Sequence, residues 1–435
     1  MADAPRFQAP TGTFDVLPPE SARWREVLAR FAGVVGGAGY GLVINPLFED
    51  VGVFLRGMGE GSDVVTKEMY EFRDKGDRRL ALRPEGTASV VRAFVQHRPA
   101  VPFKGWYATP AFRYERPQAG RFRQHHQVGV EALGSEDPDL DVEVVAVAHD
   151  FYRSLGLQRI TVKVNSMGDR ECLPAYRAAL AAYLEGRSDD LCREHREKWR
   201  ANPLRVLDCK KPECRAATEE APKTVDFLCE PCRKHFERVR TGLEDVGIGH
   251  VLDFRLVRGF DYYTRTTFEF VAEALSSAQN AVGGGGRYDG LVESLGGPPT
   301  PGIGFGMGIE RLLLACDAEG VLPAPDAEVD VFVVDLTGGG QALALTTELR
   351  RAGLRADRAF DGRSMKAQLR AADRSQAAVA VIVGEEELTA GTAVVKAMAG
   401  EGGQRTVPRA DVLSAVRSLL GGSPGPDEFD GEGPA

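Results

Sequence analysis

The stretch Phe112–Gly134, FRYERPQAGRFRQHHQVGVEALG, decides how this chain is read. Strand-like flanks enclose a Pro-Gln-Ala-Gly turn, and Arg113, Arg116, Arg121 and Arg123 crowd its edges. Two strands joined by a short turn pair antiparallel, whereas parallel strands need a long crossover. Guanidiniums on the edges of such a hairpin can grip phosphates, because arginine offers a rigid planar fork to paired oxygens. Glu115 among them can aim the arginines or accept from an adenine amino group. A solvated charged hairpin is the plainer alternative. His125 and His126 are adjacent on a strand and point to opposite faces, so they do not form a joint metal or acid–base pair.

Outward from the hairpin, Trp24, Val27, Leu28, Phe31, Val34 and Val35 recur at helical spacing, predicting a helix over Ser21–Val35 between Pro19 and the glycines from Gly36. A strand is expected over Tyr40–Leu47, with Pro46 near its edge. Extended segments follow at Lys67–Phe72, Arg79–Arg83, Lys104–Tyr114 and Gln124–Ala132, separated only by short helical pieces such as Gly86–Phe94. That order fits a mixed or antiparallel sheet better than a doubly wound parallel one. An amphipathic helix, Leu140–Leu155, and an alternating strand, Arg159–Asn165, close the block. Composition then shifts: from about Asp169 to Val246 the sequence is mostly helical and holds six of the seven cysteines, which suggests an inserted domain. Strand-like Val251–Val257 and Thr266–Val271, a glycine-rich turn and a helix beginning near Gly306 resume the first block. After Pro323, VDVFVVDL, helices at Gly340–Ala352 and Ser364–Ala372, the run AAVAVIVG and a helix Ala410–Leu420 read as an α/β module.

The whole is 435 residues, 43% hydrophobic and 27% charged, enough for two or three domains. No run of 18 apolar residues occurs, and the first residues, MADAPRFQAP, carry no basic-then-apolar leader, so a cytoplasmic protein with no membrane partner is expected. The net charge of -9 weakens a non-specific nucleic-acid coat but allows a locally basic groove. Asp427, Glu428, Asp430 and Glu432 make the last residues an acidic tail too poor in apolar groups to order itself. Cysteines at this density in a reducing compartment raise a metal question. Cys209, Cys214, Cys229 and Cys232 form two close pairs that could present four thiolates to a structural zinc, with Cys192 and His195 as alternates. Small buried side chains are the ordinary alternative.

Four more segments join glycines to a charged or phenolic residue on a probable strand: LALRPEGTAS (80–89), RGFDYYTRTTFEF (258–270), GGGGRYDGL (283–291) and GIGFGMGIERLLL (302–314). The glycine run lacks the spacing and Lys-Ser/Thr ending of a phosphate-binding loop. Together with the arginine hairpin, these segments resemble those of bacterial histidyl-tRNA synthetases, a class II aminoacyl-tRNA synthetase family, over about Phe7 to Leu420. The resemblance implies an α+β catalytic core with a mainly antiparallel class II sheet over residues 1–168 and 247–323. A mostly helical insertion domain at 169–246, a C-terminal α/β anticodon-binding domain at 329–420 and a disordered acidic tail at 421–435 complete it. Its first motif, the long helix and the strand ending at Pro46, implies a homodimer.

The implied reaction is ATP-dependent ligation of L-histidine to tRNA-His through a histidyl-adenylate, with magnesium accompanying ATP. By the same resemblance, Arg113 would meet the α-phosphate, Glu115 the adenine amino group, and Arg121 and Arg311 the β- and γ-phosphates. Arg258 would be the catalytic arginine across the α-phosphate, near the histidine carboxylate. Glu131 and Tyr263 would bond the imidazole nitrogens, Tyr262 beside them, with Glu85, Thr87 and Gln127 around the amino group. Zinc is not a general requirement of the family. A stand-alone adenylate-forming enzyme and a synthetase-like regulatory subunit of histidine biosynthesis are the rival readings; the C-terminal unit could instead serve packing or dimerisation.

Overall fold

The computed structural model describes residues 7–58, 64–257, 262–276, 280–324, 329–398 and 403–421. The described residues form two compact units, the first reaching Pro323 apart from Pro18–Ala22, the second taking that segment and the described residues from Ala324. No helix among the described residues is long and apolar enough to cross a membrane.

The first unit is built on an eight-stranded sheet in the order Gly41–Leu42, Phe103–Phe112, Gln124–Leu133, Gly302–Gly308, Ala281–Arg287, Thr264–Ala272, Ile160–Ser166, His250–Leu252. The sheet is mixed: the outermost pair at each end is parallel and the pairs between are antiparallel. Its middle strands are buried on both faces, as the last six residues of Gln124–Leu133 are. One face carries the main core, where Val27, Phe31 and Val35 of helix Glu20–Gly37 meet Val144, Val145, Ala148 and Phe151 of helix Pro138–Ser154. Phe31 and Phe151 pack edge to face at 4.9 Å. Asp137 caps the second helix by accepting from the Asp139 N–H at 3.0 Å, and Pro138 sits in its first turn, where a missing N–H costs nothing.

The run Gly283–Gly286, expected as a turn, is instead a central strand. Glycine is required there because neighbouring backbones come too close for a Cβ: one on Gly285 would lie 1.9 Å from the Gly304 carbonyl oxygen. The helix expected near Gly306 begins only at Ile309, since Gly302–Gly308 pairs as strand on both sides. Tyr40–Leu47 yields only the two-residue strand Gly41–Leu42. Beyond Pro46 the chain joins a separate three-stranded sheet, Phe48–Asp50, Arg79–Leu82, Glu71–Arg73. Lys67–Phe72 begins as the end of a helical turn, Val64–Glu68, before strand Glu71–Arg73.

The helical insert has its own core, in which Tyr176, Leu180 and Leu184 pack with Leu191, Trp199, Val206 and Leu207. Its last helix, Glu230–Asp245, returns to the main core through Phe236, Val239 and Leu243. In the second unit, strands Ala356–Arg358, Val331–Asp335 and Val379–Val383 run parallel and Thr392–Ala397 and Gln404–Pro408 add antiparallel, giving an α/β module. Val331–Asp335 and Val379–Val383 are buried throughout, which is why both read as unbroken apolar runs. The acidic residues Asp427, Glu428, Asp430 and Glu432 lie outside the described residues.

Candidate active site

Strand register builds the site. Paired residues on antiparallel strands point to the same face, so Tyr107, Gly129, Gly306, Gly284 and Glu269 form one row across five strands. The next row is Gly105, Glu131, Gly304, Gly286 and Thr267. Gly306 and Gly284 in the first row leave a hollow on the sheet face between Tyr107 and Glu269, while the space over Gly304 in the second row is taken by the Glu131 carboxylate. The hollow belongs to a cavity of about 630 Å³.

The cavity brings together Glu85, Thr87, Arg113, Glu115, Arg121, Gln127, Tyr262, Tyr263 and Arg311 from distant parts of the sequence. At the hairpin end, Gln118 and Arg121 exchange backbone hydrogen bonds of 3.1 and 2.9 Å, and Gly120 takes the left-handed conformation that closes the turn. Arg121 donates to Glu115 at 3.1 Å. Arg311, at the start of helix Ile309–Glu319, is held by the Gly120 and Ala281 carbonyls at 3.2 and 2.9 Å. Arg113 donates to the Pro84 carbonyl at 3.0 Å. Burial, then repulsion from Arg121, lowers the Arg311 pKa, with Arg113 acting in the same direction. Three guanidiniums confined so closely favour a polyanionic ligand. Arg116 is exposed and Arg123 lies over the Tyr114 ring, 4.0 Å from its centroid, so the hairpin's four arginines divide between cavity and scaffold.

At the other end, Glu85 caps helix Thr87–His97, its carboxylate accepting the Thr87 and Ala88 N–H groups at 2.7 and 2.8 Å. Burial raises its pKa. Glu131 is 0% exposed beneath the hollow. It accepts from the Thr87 hydroxyl at 2.7 Å and from the Tyr288 hydroxyl. Burial pushes its pKa up to about 8 against the pull of those donors. The buried Gln127 side-chain oxygen has no hydrogen-bond partner among the described residues, an acceptor suited to a ligand amine. Tyr262 and Tyr263 pack 4.6 Å apart on one wall. Arg258 lies outside the described residues.

Sequence reasoning missed Tyr107, Tyr288 and Glu269. Tyr107 is buried where a Cβ on Gly86 or Gly129 would strike its ring or hydroxyl at 2.3 or 2.5 Å, so those two glycines were its signal. Tyr288 stood in the quoted run GGGGRYDGL but had no visible partner. Its neighbour Arg287 is a scaffold residue, fully buried against Asp141 with Nε 3.1 Å from a carboxylate oxygen. His126 does not line the cavity but bonds Glu310, which does, at 2.9 Å; His125 lines it, its pKa pushed down to about 3 by burial and then by Arg113.

The four thiols Cys209, Cys214, Cys229 and Cys232 do not form one set. Cys209 and Cys214 gather with Cys192 and His195, the expected alternates, whereas Cys229 and Cys232 gather with Asp169 and Cys172. Short spacing puts each pair within bite of one ion, but the fold sends the pairs to different places.

Residues 12–312 match the family model described as histidyl-tRNA synthetase, and residues 330–419 match an anticodon binding domain. Histidine–tRNA ligases of Rhodococcus erythropolis and Moorella thermoacetica are each 49% identical, over 97% and 94% of this chain and 100% and 98% of theirs. The apo histidyl-tRNA synthetase structure of S. aureus is 34% identical with a TM-score of 0.79, covering 95% of this chain and all of that one. A family model covering both the arginine hairpin and the glycine-floored cavity, and relatives matching from end to end, leave one assignment: the chain belongs to the histidyl-tRNA synthetase family.

Proposed function

We propose that the glycine-floored cavity is the adenylation centre of this chain, ATP lying at the arginine end and histidine over Glu131. The family's reaction is ATP-dependent ligation of L-histidine to tRNA-His through a histidyl-adenylate, releasing AMP and diphosphate, and this chain is such an enzyme. The single observation that carries the siting is the convergence of Arg113, Arg121 and Arg311 on one cavity that the buried carboxyl of Glu85 also lines. The histidine carboxylate attacks the α-phosphorus, and charge grows on the phosphoryl oxygens. Fixed cations facing those oxygens stabilise the transition state more than the ground state.

In this reading Arg113 takes the α-phosphate, Glu115 the adenine amino group, and Arg121 and Arg311 the outer phosphates. Arg258, by family resemblance, completes the α-phosphate site and contacts the histidine carboxylate. Gln127, Glu85 and Thr87 surround the amino group. Glu131, Tyr263 and Tyr262 select the imidazole: a phenylalanine there would leave buried polar groups unpaired. Magnesium enters with the ATP phosphates, and Glu269, which acts electrostatically on Arg311, is a carboxylate of the wall that fits it.

The remaining assignments belong to the same reading. Residues 1–168 and 247–323 are the catalytic core on a class II sheet, 169–246 the insert, 329–420 the anticodon-binding module and 421–435 an acidic tail. Cys192, His195, Cys209 and Cys214 are the residues that would hold a structural zinc. The enzyme is a cytoplasmic homodimer whose interface includes the segment after the first helix, where Leu42, Ile44, Leu47 and Phe48 are exposed together.

Arg258→Ala tests the siting: histidine-dependent pyrophosphate exchange should fall about 100-fold or more in a folded chain that still binds ATP. Near-normal exchange would remove Arg258 from the transition state.

A further inference from the structure

The insert leaves and rejoins the catalytic sheet through one narrow neck. Outgoing, strand Ile160–Ser166 ends and Asp169 and Cys172 follow before helix Leu173–Glu185. Incoming, Cys229 and Cys232 open helix Glu230–Asp245, whose apolar side is in the main core. Between these points Tyr176, Leu180, Leu184, Trp199 and Leu207 pack on the insert's own core, while Val225 and Leu228, just before Cys229, pack against the main one. The Asp169 carboxylate stands among the three thiols at the neck: Cys172 Sγ is at 3.2 Å, Cys232 Sγ at 3.0 Å and Cys229 Sγ at 3.8 Å. One donor atom from each residue lies within 4.8 Å of all the others.

This is the geometry of a tetrahedral ligand set before the ion draws it in. Zinc–sulfur bonds of about 2.3 Å put tetrahedral sulfurs about 3.8 Å apart, so contraction by roughly an ångström or less suffices. Asp169-x2-Cys172 and Cys229-x2-Cys232 are both two-residue bites. The Cys229 backbone N–H donates to Cys172 Sγ at 3.1 Å, across from one bite to the other, and such N–H bonds support a thiolate ligand. The Asp169 carboxylate also accepts the Glu171 N–H at 2.9 Å, which fixes its orientation. Cys229 and Cys232 occupy the first turn of a 16-residue helix, where the helix dipole favours negative sulfur. Ordinary buried cysteines have no need of a carboxylate drawn in among them.

We propose that Asp169, Cys172, Cys229 and Cys232 form a zinc site of their own, a clip across the neck of the insert, separate from the Cys192–His195–Cys209–Cys214 set. Binding replaces up to three thiol protons with one divalent cation and releases those protons to solvent. The clip joins residues sixty apart in sequence and holds the ends of the insert against the sheet. Met167 and Leu173, either side of its first bite, line the adenylation cavity, so the clip also fixes part of that wall. It stands whether or not the first set holds metal, because the test reads a difference.

The test is metal analysis of the full-length chain, expressed with zinc and purified reduced without chelator. Cys229→Ser should hold one zinc fewer than wild type, and protease should cut within residues 173–228 at least 10-fold faster. Equal zinc content in wild type and Cys229→Ser would overturn the clip. If Cys229→Ser does not fold, Cys209→Ser decides, since it breaks only the other set. That chain should keep one zinc and, after exchange for cobalt(II), show thiolate-to-cobalt charge-transfer absorption saturating at one equivalent. A folded Cys209→Ser chain with no zinc and no such band overturns the proposal, as does a Cys229–Cys232 disulfide whose reduction yields no metal uptake.

Discussion

Glu131 is fully buried behind Thr87, a residue of the cavity wall, and in the proposed reading it faces the imidazole. Its raised pKa has a thermodynamic consequence with a definite sign. A carboxyl that titrates near 8 in the folded chain and near its ordinary value when unfolded makes the native state bind the extra proton between those limits. Stability contributed by this group therefore falls as pH rises from about 4.5 to about 8. Glu131→Gln keeps the size and stays neutral, so its melting temperature relative to wild type should climb between pH 6 and 8.5. A flat difference would mean that Glu131 is ionised throughout. The same variant should bind histidine more weakly by roughly 10-fold or more while ATP binding changes little, because an amide cannot pass a proton to the imidazole and pair with it as a carboxylate does. The sequence offered Glu131 only as a charge in an apolar strand. Its two donors, Thr87 and Tyr288, come from residues 44 and 157 positions away, a distance no local pattern encodes.

On the scale of strands, two glycines two positions apart have opposite jobs. A Cβ on Gly304 would fall 2.0 Å from a Glu131 carboxylate oxygen and 2.4 Å from the Val130 carbonyl oxygen. One on Gly306 would meet only the Tyr107 hydroxyl at 3.6 Å and the Gln127 amide at 4.0 Å. Gly304→Ala should therefore destabilise the first unit by about 2 kcal/mol or more, read from urea unfolding, since backbone cannot yield. Gly306→Ala should unfold as wild type does yet raise the KM for histidine, because its methyl enters the hollow. Equal stability losses in both would deny that the glycine rows shape a pocket. The segment after the first helix makes a similar distinction between structure and interface. Ile44 is 86% exposed, so Ile44→Asp costs the monomer little, but it should shift sedimentation from dimer towards monomer.

For the molecule as a whole, the proposed reading puts the chemistry before Pro323 and RNA reading after it. Every proposed ATP and histidine residue lies at or before Arg311, and the second unit has an independent core around Val333, Val381, Leu345 and Val416. A chain ending at Pro323 should keep measurable histidine-dependent pyrophosphate exchange while charging of tRNA-His falls at least 10-fold further. Unchanged charging by a monodisperse truncated chain would defeat the anticodon-binding role.

The sequence by itself determined the elements whose signals are local: helices Glu20–Gly37 and Pro138–Ser154 from their apolar period, the arginine hairpin from its turn, and the α/β module from its unbroken apolar strands. Motif resemblance then supplied the family and named nine of the residues that line the cavity. Tertiary structure alone decided that Gly283–Gly286 is a strand and not a turn, because the demand for glycine comes from backbones of other strands. It also decided that four cysteines at metal-binding spacing divide between two sets. Spacing along the chain determines which pairs can bite together; which pairs meet is determined by the path of the chain between them.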